Sequence, residues 1–206
     1  MNIIKRGYTL AEVLITLAVI GTIATVTLPS LQTNVQRAQV VPALQKAMNT
    51  LRNANQQIMF EADARTLSSA CPEGYAECFK NVVAGSSEVL DYKISNINND
   101  DVSLDNEITA MDNILYSIDD DLRTYDNKLC YQVYVDINGK KGPNMFAKDV
   151  FEFYIELDSG RLRPSGDNGE WNSGSNRHCR NGEVPTLPRR CTAAIIENGW
   201  QIKYKY

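Results

Sequence analysis

The hydrophobic pattern is dominated by one apolar run near the beginning of the chain. From Leu10 to Leu31 most residues are apolar, and they do not keep to one face of a helix. A helix that is apolar all round is typical of a membrane span or of a large protein core. As a helix this run would be about 33 Å long, enough to cross the hydrocarbon core of a bilayer. The pattern predicts a transmembrane helix over residues 8–30.

The charges around this run predict its orientation. Lys5 and Arg6 precede the run, and basic flanks stay on the cytoplasmic side of a membrane. We therefore expect a single-pass membrane protein whose C-terminal domain is extracytoplasmic. Glu12 is the one formal charge between Gly7 and Gln36. Because a carboxylate inside a bilayer costs at least ~2.5–3.5 kcal/mol, it is expected to meet an opposite charge, such as the N-terminal amine of a neighbouring copy.

Beyond the run the apolar residues recur at steps of three or four, with Asn55 in the one gap. This amphipathic stripe predicts that the helix continues over residues 31–64 and packs on a globular domain. Pro29 and Pro42 each remove one backbone hydrogen bond and are expected to bend or loosen the helix. The stripe comprises Leu31, Val35, Ala38, Val41, Leu44, Met48, Leu51, Ile58 and Ala62.

The remainder, residues 65–206, has mixed periodicity. Residues 107–122 have the spacing of a helix. Residues 130–137 and 150–157 are rich in β-formers and alternate in part, which predicts two strands of an antiparallel sheet, with a third strand after the following turn. The expected fold class is α+β: a long N-terminal α-helix, membrane-spanning in its first half, packed on a small antiparallel β-sheet domain.

The end of the chain has two further signals. Residues 191–199 suit a short helix with a glycine at its C-terminal end. Residues 200–206 alternate cleanly between apolar and polar side chains, which predicts a final strand.

Composition narrows the class of protein. The chain has 206 residues and a formal net charge of −4, so nucleic acid is not an expected partner. Five cysteines, all beyond the apolar run, fit an oxidising compartment, and their odd number leaves at least one unpaired within the chain. Closeness in sequence favours the pairs Cys71–Cys78 and Cys179–Cys191. A bridge from Cys130 to Cys179 or Cys191 stays an alternative.

One loop between two predicted strands contains oxygen ligands at suggestive positions. Asp136 and Asn138 have the spacing of the first ligands of a calcium loop, and Asn144 and Asp149 could complete an oxygen cage for Ca²⁺. The full EF-hand signature fails, because the glycine comes too early and two lysines follow it. The same residue types also build an ordinary connection held by Asx turns, so both interpretations stay open.

No residue set predicts catalysis. The sequence contains no glycine-rich phosphate loop, no Ser-His-Asp arrangement and no clustered acid–base pair. The single histidine, His178, lies beside Cys179, but a zinc site there would lack a fourth ligand at normal spacing. We expect a protein that is not an enzyme, with no catalytic residue and no certain cofactor.

Residues 7–12, Gly-Tyr-Thr-Leu-Ala-Glu, followed by an apolar run ending at Pro29, resemble the class III signal of type IV pilins and type II secretion pseudopilins. The one departure is Tyr8, where the family usually has Phe. The resemblance implies that residues 1–7 are a leader, that a prepilin peptidase cleaves after Gly7, and that Tyr8 is N-methylated. It also implies that Glu12 guides filament assembly and that the helix near Pro29 loosens when subunits pack.

A second likeness concerns the loop region. Residues 136–144 and the strand that begins at 149 are similar to a recurrent pattern in pilin-like proteins of type II secretion, and residues 191–202 look similar too. Major pseudopilins carry a calcium site in a C-terminal loop, but this chain does not match that motif closely enough to transfer its ligands.

The resemblance implies a structural subunit stored in the lipid bilayer. It would assemble with itself or with other pilins into a homo- or hetero-filament, on an inner-membrane assembly platform, and the loop pattern leans to a type II secretion pseudopilus. A minor subunit of a type IV pilus, for adhesion or DNA uptake, is the close alternative. An alternative of another class is a single-span membrane-anchored binding protein or enzyme, which predicts no processing at Gly7 and indifference to Glu12.

Overall fold

The computed structural model divides the chain into two compact units, Met1–Gln39 and Val40–Tyr206. Helices, strands and turns are described over seven stretches, which are residues 8–83, 87–88, 93–95, 101–103, 107–110, 113–166 and 178–205.

Helix α1 (Leu10–Glu61) begins with a reciprocal cap. The carboxylate of Glu12 accepts hydrogen bonds from the backbone N–H and the hydroxyl of Thr9, both at 2.8 Å. The Thr9 hydroxyl oxygen in turn accepts from the Glu12 N–H at 3.2 Å. This is the capping-box arrangement, which satisfies N–H groups that the first turn leaves without partners. The helical backbone continues through both Pro29 and Pro42.

The prediction of a membrane span is wrong. Within the described residues, none of the helices combines the length and the apolar character that a bilayer crossing requires. The transmembrane helix over residues 8–30 and the single-pass inner-membrane location are corrected accordingly. The fold class is α+β with an antiparallel sheet, without a membrane-spanning first half.

In the second unit, one face of α1 is buried against the rest of the domain. The sequence stripe anticipates the central part of this face, whereas Val41 is only half-buried and Ala38 and Ala62 are exposed. Each fully buried aliphatic side chain contributes about 1.5–3 kcal/mol, so this face fixes the helix on its domain. The buried apolar residues are Val40, Leu44, Ala47, Met48, Leu51, Ala54 and Ile58.

The described strands form a six-stranded antiparallel sheet and a separate two-stranded one. The strands are β1 (Ser87–Glu88), β2 (Lys93–Ser95), β3 (Asp101–Ser103), β4 (Glu107–Thr109), β5 (Leu115–Tyr125), β6 (Lys128–Asp136), β7 (Val150–Glu156) and β8 (Leu162–Pro164). The larger sheet has the order β1-β4-β5-β6-β7-β8, and β2 pairs with β3. The two strands predicted at 130–137 and 150–157 are β6 and β7, each within two residues of the expected bounds.

The helix predicted over residues 107–122 is wrong, because the described part of this region contains β4 and β5, which pair antiparallel to each other. The N–H of Ala110 donates to the Ile114 carbonyl at 3.0 Å, and Asn113 has a positive φ of 66°. Along β5, Leu115 pairs with Asp136 of β6. Apolar residues at steps of three or four suit a helix locally, but pairing with the central strand decides the outcome.

The described part of the domain also contains three shorter α-helices, α2 (Leu67–Ala70), α3 (Tyr75–Val82) and α4 (Cys191–Glu197), and a 3-10 turn at Pro188–Arg190. The predicted C-terminal helix is α4, but the predicted final strand is wrong. The described residues 200–205 belong to no strand and make two backbone hydrogen bonds with a loop, Gly182 N–H to Lys203 and Lys205 N–H to Glu183. The alternation arises because Tyr204 is buried, with its hydroxyl donating to the Ala147 carbonyl at 2.6 Å.

The two faces of the large sheet differ in chemistry. Side chains such as Tyr131, Val133 and Phe153 lie on the face that joins the core formed with α1 and α3. The opposite face carries Gln132 and Glu152, both buried. The apolar core therefore lies between the sheet and the helices, and a buried polar network occupies the other side.

Candidate functional site

The apolar start of α1, residues Leu10–Thr25, exposes large apolar side chains all round the helix. Soluble proteins rarely expose a continuous apolar surface of this kind unless it binds another surface. The exposed fractions lie between 42% and 78% for Leu10, Val13, Leu14, Ile15, Leu17, Val19, Ile20 and Ile23. This surface is the strongest candidate for a binding site in the first unit.

The threonine hydroxyls on this helix are hydrogen-bonded to its own backbone. The hydroxyls of Thr16 and Thr22 each donate to the carbonyl three residues earlier at 2.9 Å, and that of Thr25 does so at 2.8 Å. The Thr27 hydroxyl donates to the Ile23 carbonyl at 3.0 Å. A buried hydroxyl without a partner is costly, whereas these hydroxyls already have one. The helix can therefore be buried in apolar surroundings without leaving these threonine hydroxyls unpaired.

Glu12 is the only formal charge on this surface. Its carboxylate lies at a hollow of about 410 Å³, lined by Tyr8, Glu12, Val13 and Thr16. Tyr8 is 88% exposed, and Gly7 lies outside the described residues. In the single chain the partners of Glu12 are Thr9 donors, so a charge from a neighbouring amine stays a prediction. The same holds for cleavage at Gly7, methylation of Tyr8 and the assembly role of Pro29.

The structure brings the four predicted calcium ligands together in one loop. The carboxylate of Asp149 accepts from the N–H of Met145 at 2.6 Å, from the N–H of Asn144 at 3.0 Å and from the side-chain amide of Asn138 at 3.2 Å. Asp136 accepts from the N–H of Asn138 at 3.0 Å. Amide donors therefore occupy the carboxylate oxygens that a cation would coordinate.

The Asp149 carboxyl is buried, and its burial raises its pKa. The hydrogen bonds from Met145 and Asn144, together with the charge of Lys148, offset part of this increase. Among the described residues, no group of three or more His, Cys, Asp and Glu side chains could hold a metal ion. A calcium ion would have to displace the amide donors, and calcium binding at this loop stays a prediction.

Two disulfides cross-link the globular unit. Cys71, which directly follows α2, is bonded to Cys78 in the middle of α3, and the bond between Cys179 and Cys191 fixes the start of α4 to the preceding loop. These are the pairs that closeness in sequence favours. Cys130 lies buried on β6 outside both bridges. Because Cys179 and Cys191 are bonded to each other, neither offers a thiolate to zinc beside His178.

Sequence reasoning missed the buried carboxylate of Glu152. It accepts hydrogen bonds from the side-chain amide of Gln132 and the hydroxyl of Ser165. Burial raises the pKa of Glu152, and the charge of Arg189 opposes that shift. The alternation along β7 correctly predicts that Glu152 lies on the polar face of the sheet. It does not predict that other segments bury that face.

The chain was also compared with known proteins. No family model, no curated protein and no solved structure matches it. The likeness of residues 7–12 to a prepilin signal is therefore supported by those residues alone, and the function has to be argued from the exposed helix.

Proposed function

We propose that this chain is a structural subunit that assembles with copies of itself, or with similar chains, into a filament of the type IV pilin kind. The observation that carries the proposal is the apolar start of α1, which exposes aliphatic side chains on every side. A helix that is apolar on every side has no polar face to expose to water, so it is suited to burial at the centre of a helical bundle. A single partner groove would cover only one side.

The magnitude of the burial supports assembly. Completing the burial of eight partly exposed aliphatic side chains would contribute on the order of 10 kcal/mol per copy, at about 25 cal/mol per Å² of apolar surface. Association costs an estimated 4–15 kcal/mol in lost translational and rotational freedom. A contact of this size can therefore exceed its cost, and the internally bonded threonines add little penalty.

Glu12 supplies specificity in this proposal. A carboxylate among apolar helices is tolerated only beside an opposite charge or several donors. Removal of residues 1–7 would create an amine at Tyr8, one helical turn from Glu12, and the amine of one copy can meet the carboxylate of the next. The likeness of the 136–144 loop to type II secretion proteins leans the proposal to a pseudopilus.

The test compares two substitutions with two matched controls on the same helix. Glu12→Ala removes the charge, and Ile20→Asp places a charge on the apolar surface. Glu61→Ala and Phe60→Asp make the same changes at exposed positions outside the apolar start; Phe60 is 85% exposed. We expect the first pair to abolish filaments seen by electron microscopy and the control pair to retain them.

Circular dichroism of each purified variant checks that the globular unit remains folded. Filaments that persist in both Glu12→Ala and Ile20→Asp would contradict the proposal. So would a wild-type chain that stays monomeric at high concentration.

A further inference from the structure

The globular unit contains a hollow of about 500 Å³ between α1, the β7–β8 region and the end of α4, where Ile196 and Trp200 line it. We call it the arginine groove and define it by Met48, Arg52, Met59, Arg161 and Trp200, which all line it. The turn comes close to the helix at Gly160, whose carbonyl accepts a 2.7 Å hydrogen bond from the side chain of Asn55. The groove is therefore built on a fixed part of the fold.

The groove has an excess of positive charge. Arg163 also lines it, but this guanidinium is bonded to Asp126 at 3.1 Å and to Glu156 at 3.3 Å. Arg52 and Arg161 are exposed and make no salt bridge within the described part of the chain. The walls between them combine apolar side chains, two methionines and a tryptophan, with the polar side chains of Asn55, Gln56 and Ser159. An occupant that fits this chemistry carries a carboxylate beside an aliphatic side chain.

Such a pair is exposed elsewhere on the same unit, at an irregularity of β5. The pairing of β5 with β6 shifts between Asp119 and Arg123, and these two side chains form a 2.9 Å salt bridge. Asp120 points to the start of α3, where it accepts the N–H of Tyr75 at 2.9 Å. Asp121 and Leu122 are left exposed, Leu122 by 47%, and we call them the β5 bulge.

The groove and the bulge lie at opposite edges of the sheet. Strand β4 covers β5 only along Leu115–Ser117, so the bulge lies on a stretch of β5 that β4 does not pair. Strand β8, next to the groove, is the last strand on the other side. The two surfaces therefore cannot meet within one copy. A contact between them joins different copies head to tail, which is the type of contact that builds open helical filaments rather than closed dimers.

We propose that the arginine groove of one copy receives the β5 bulge of the next, with the Asp121 carboxylate between Arg52 and Arg161 and Leu122 against the methionines and Trp200. The inference rests on the proposed filament and adds a specific contact between globular units. Complementary charge sets register and excludes wrong pairings, while like charges at the same place cost several kcal/mol.

The test uses charge reversal in the full-length chain. Arg52→Glu with Arg161→Glu reverses the groove, and Asp121→Arg reverses the bulge. We expect each reversal alone to raise the critical concentration for assembly, measured by sedimentation, about tenfold or more. The chain with all three substitutions should return to within about threefold of wild type, because the charges are again opposite. Arg65→Glu and Glu73→Lys are exposed control reversals outside both surfaces and should leave assembly unchanged.

Rescue by the triple substitution would establish the pairing. Unchanged assembly in either single reversal, or no rescue, would overturn it. Loss of assembly in the groove variant alone would also overturn it, because the groove would then hold another acidic segment. The proposed filament is judged separately: if the wild-type chain forms none, that proposal fails, whereas filaments indifferent to these reversals defeat only the groove contact.

Discussion

Asn55 joins three elements of the globular unit through two short hydrogen bonds, and its removal should be strongly destabilising. The Tyr75 hydroxyl donates to its side-chain oxygen at 2.6 Å, and its amide donates to the Gly160 carbonyl at 2.7 Å. Asn55 and Tyr75 are both buried. Burial raises the pKa of Tyr75 well above its ordinary value, so its hydroxyl stays a donor at neutral pH.

The magnitude follows from the groups left without partners. Asn55→Ala leaves the Tyr75 hydroxyl and the Gly160 carbonyl without hydrogen-bond partners, at about 1–3 kcal/mol each. We therefore expect the free energy of unfolding to fall by about 2–6 kcal/mol. For a unit of this size that lowers Tm by on the order of 10 °C. Tyr75→Phe strands only the oxygen of Asn55 and should cost about 1–3 kcal/mol. Asn53→Ala, at an exposed position on the same helix, should change stability by less than about 0.5 kcal/mol.

A double-mutant cycle isolates the contact between the two side chains. The free energy of unfolding is measured by guanidinium titration, followed by the fluorescence of Trp200, which packs against the core. The double variant Asn55→Ala/Tyr75→Phe should lose about 1–2 kcal/mol less than the sum of the single losses. Strictly additive losses would refute the direct hydrogen bond.

Three further predictions concern other polar groups. Burial raises the pKa of Glu152, so the native state holds its proton more strongly than the unfolded state does. The free energy of unfolding should therefore fall as pH rises from the unfolded pKa through the folded pKa. Glu152→Gln should weaken this dependence of the free energy of unfolding on pH, measured by unfolding titrations at several pH values. Asp120→Ala removes an acceptor from the first turn of α3 and should lower the free energy of unfolding by about 1 kcal/mol, unlike the exposed control Glu73→Ala. If the 136–149 loop binds Ca²⁺, millimolar calcium should raise the Tm of the wild type and leave the Tm of Asp149→Asn unchanged. A wild-type Tm that does not change with calcium would contradict the calcium prediction.

The sequence anticipated elements that a strong local period or β-rich composition defines. The stripe on α1 from Leu44 to Ile58 and the strands β6 and β7 follow such signals. The helix predicted over residues 107–122 is wrong because its described apolar positions lie on two separate strands, Ile108 on β4 and the others on β5. The membrane span is corrected because no helix in the described part of the chain is both long and apolar enough to cross a bilayer.

The polar contacts were largely beyond sequence reasoning. The calcium-ligand pattern did place Asp136 and Asp149 in one loop, but three of the four amide donors named above for them are backbone N–H groups, which leave no residue signature. The coverage of Glu152 and the pairing of Asn55 with Tyr75 depend on distant segments, which no local pattern reports. The arginine groove likewise needs three elements that are far apart in sequence.

The central claim is that copies of this chain bury the apolar start of α1 against one another. The most direct measurement is photo-crosslinking from benzoylphenylalanine placed at Ile20, which is 62% exposed in the single chain. After assembly, peptide mapping should find the adduct within residues 10–25 of a second copy. Adducts confined to the same chain, or to residues 40–205 of other copies, would contradict the account.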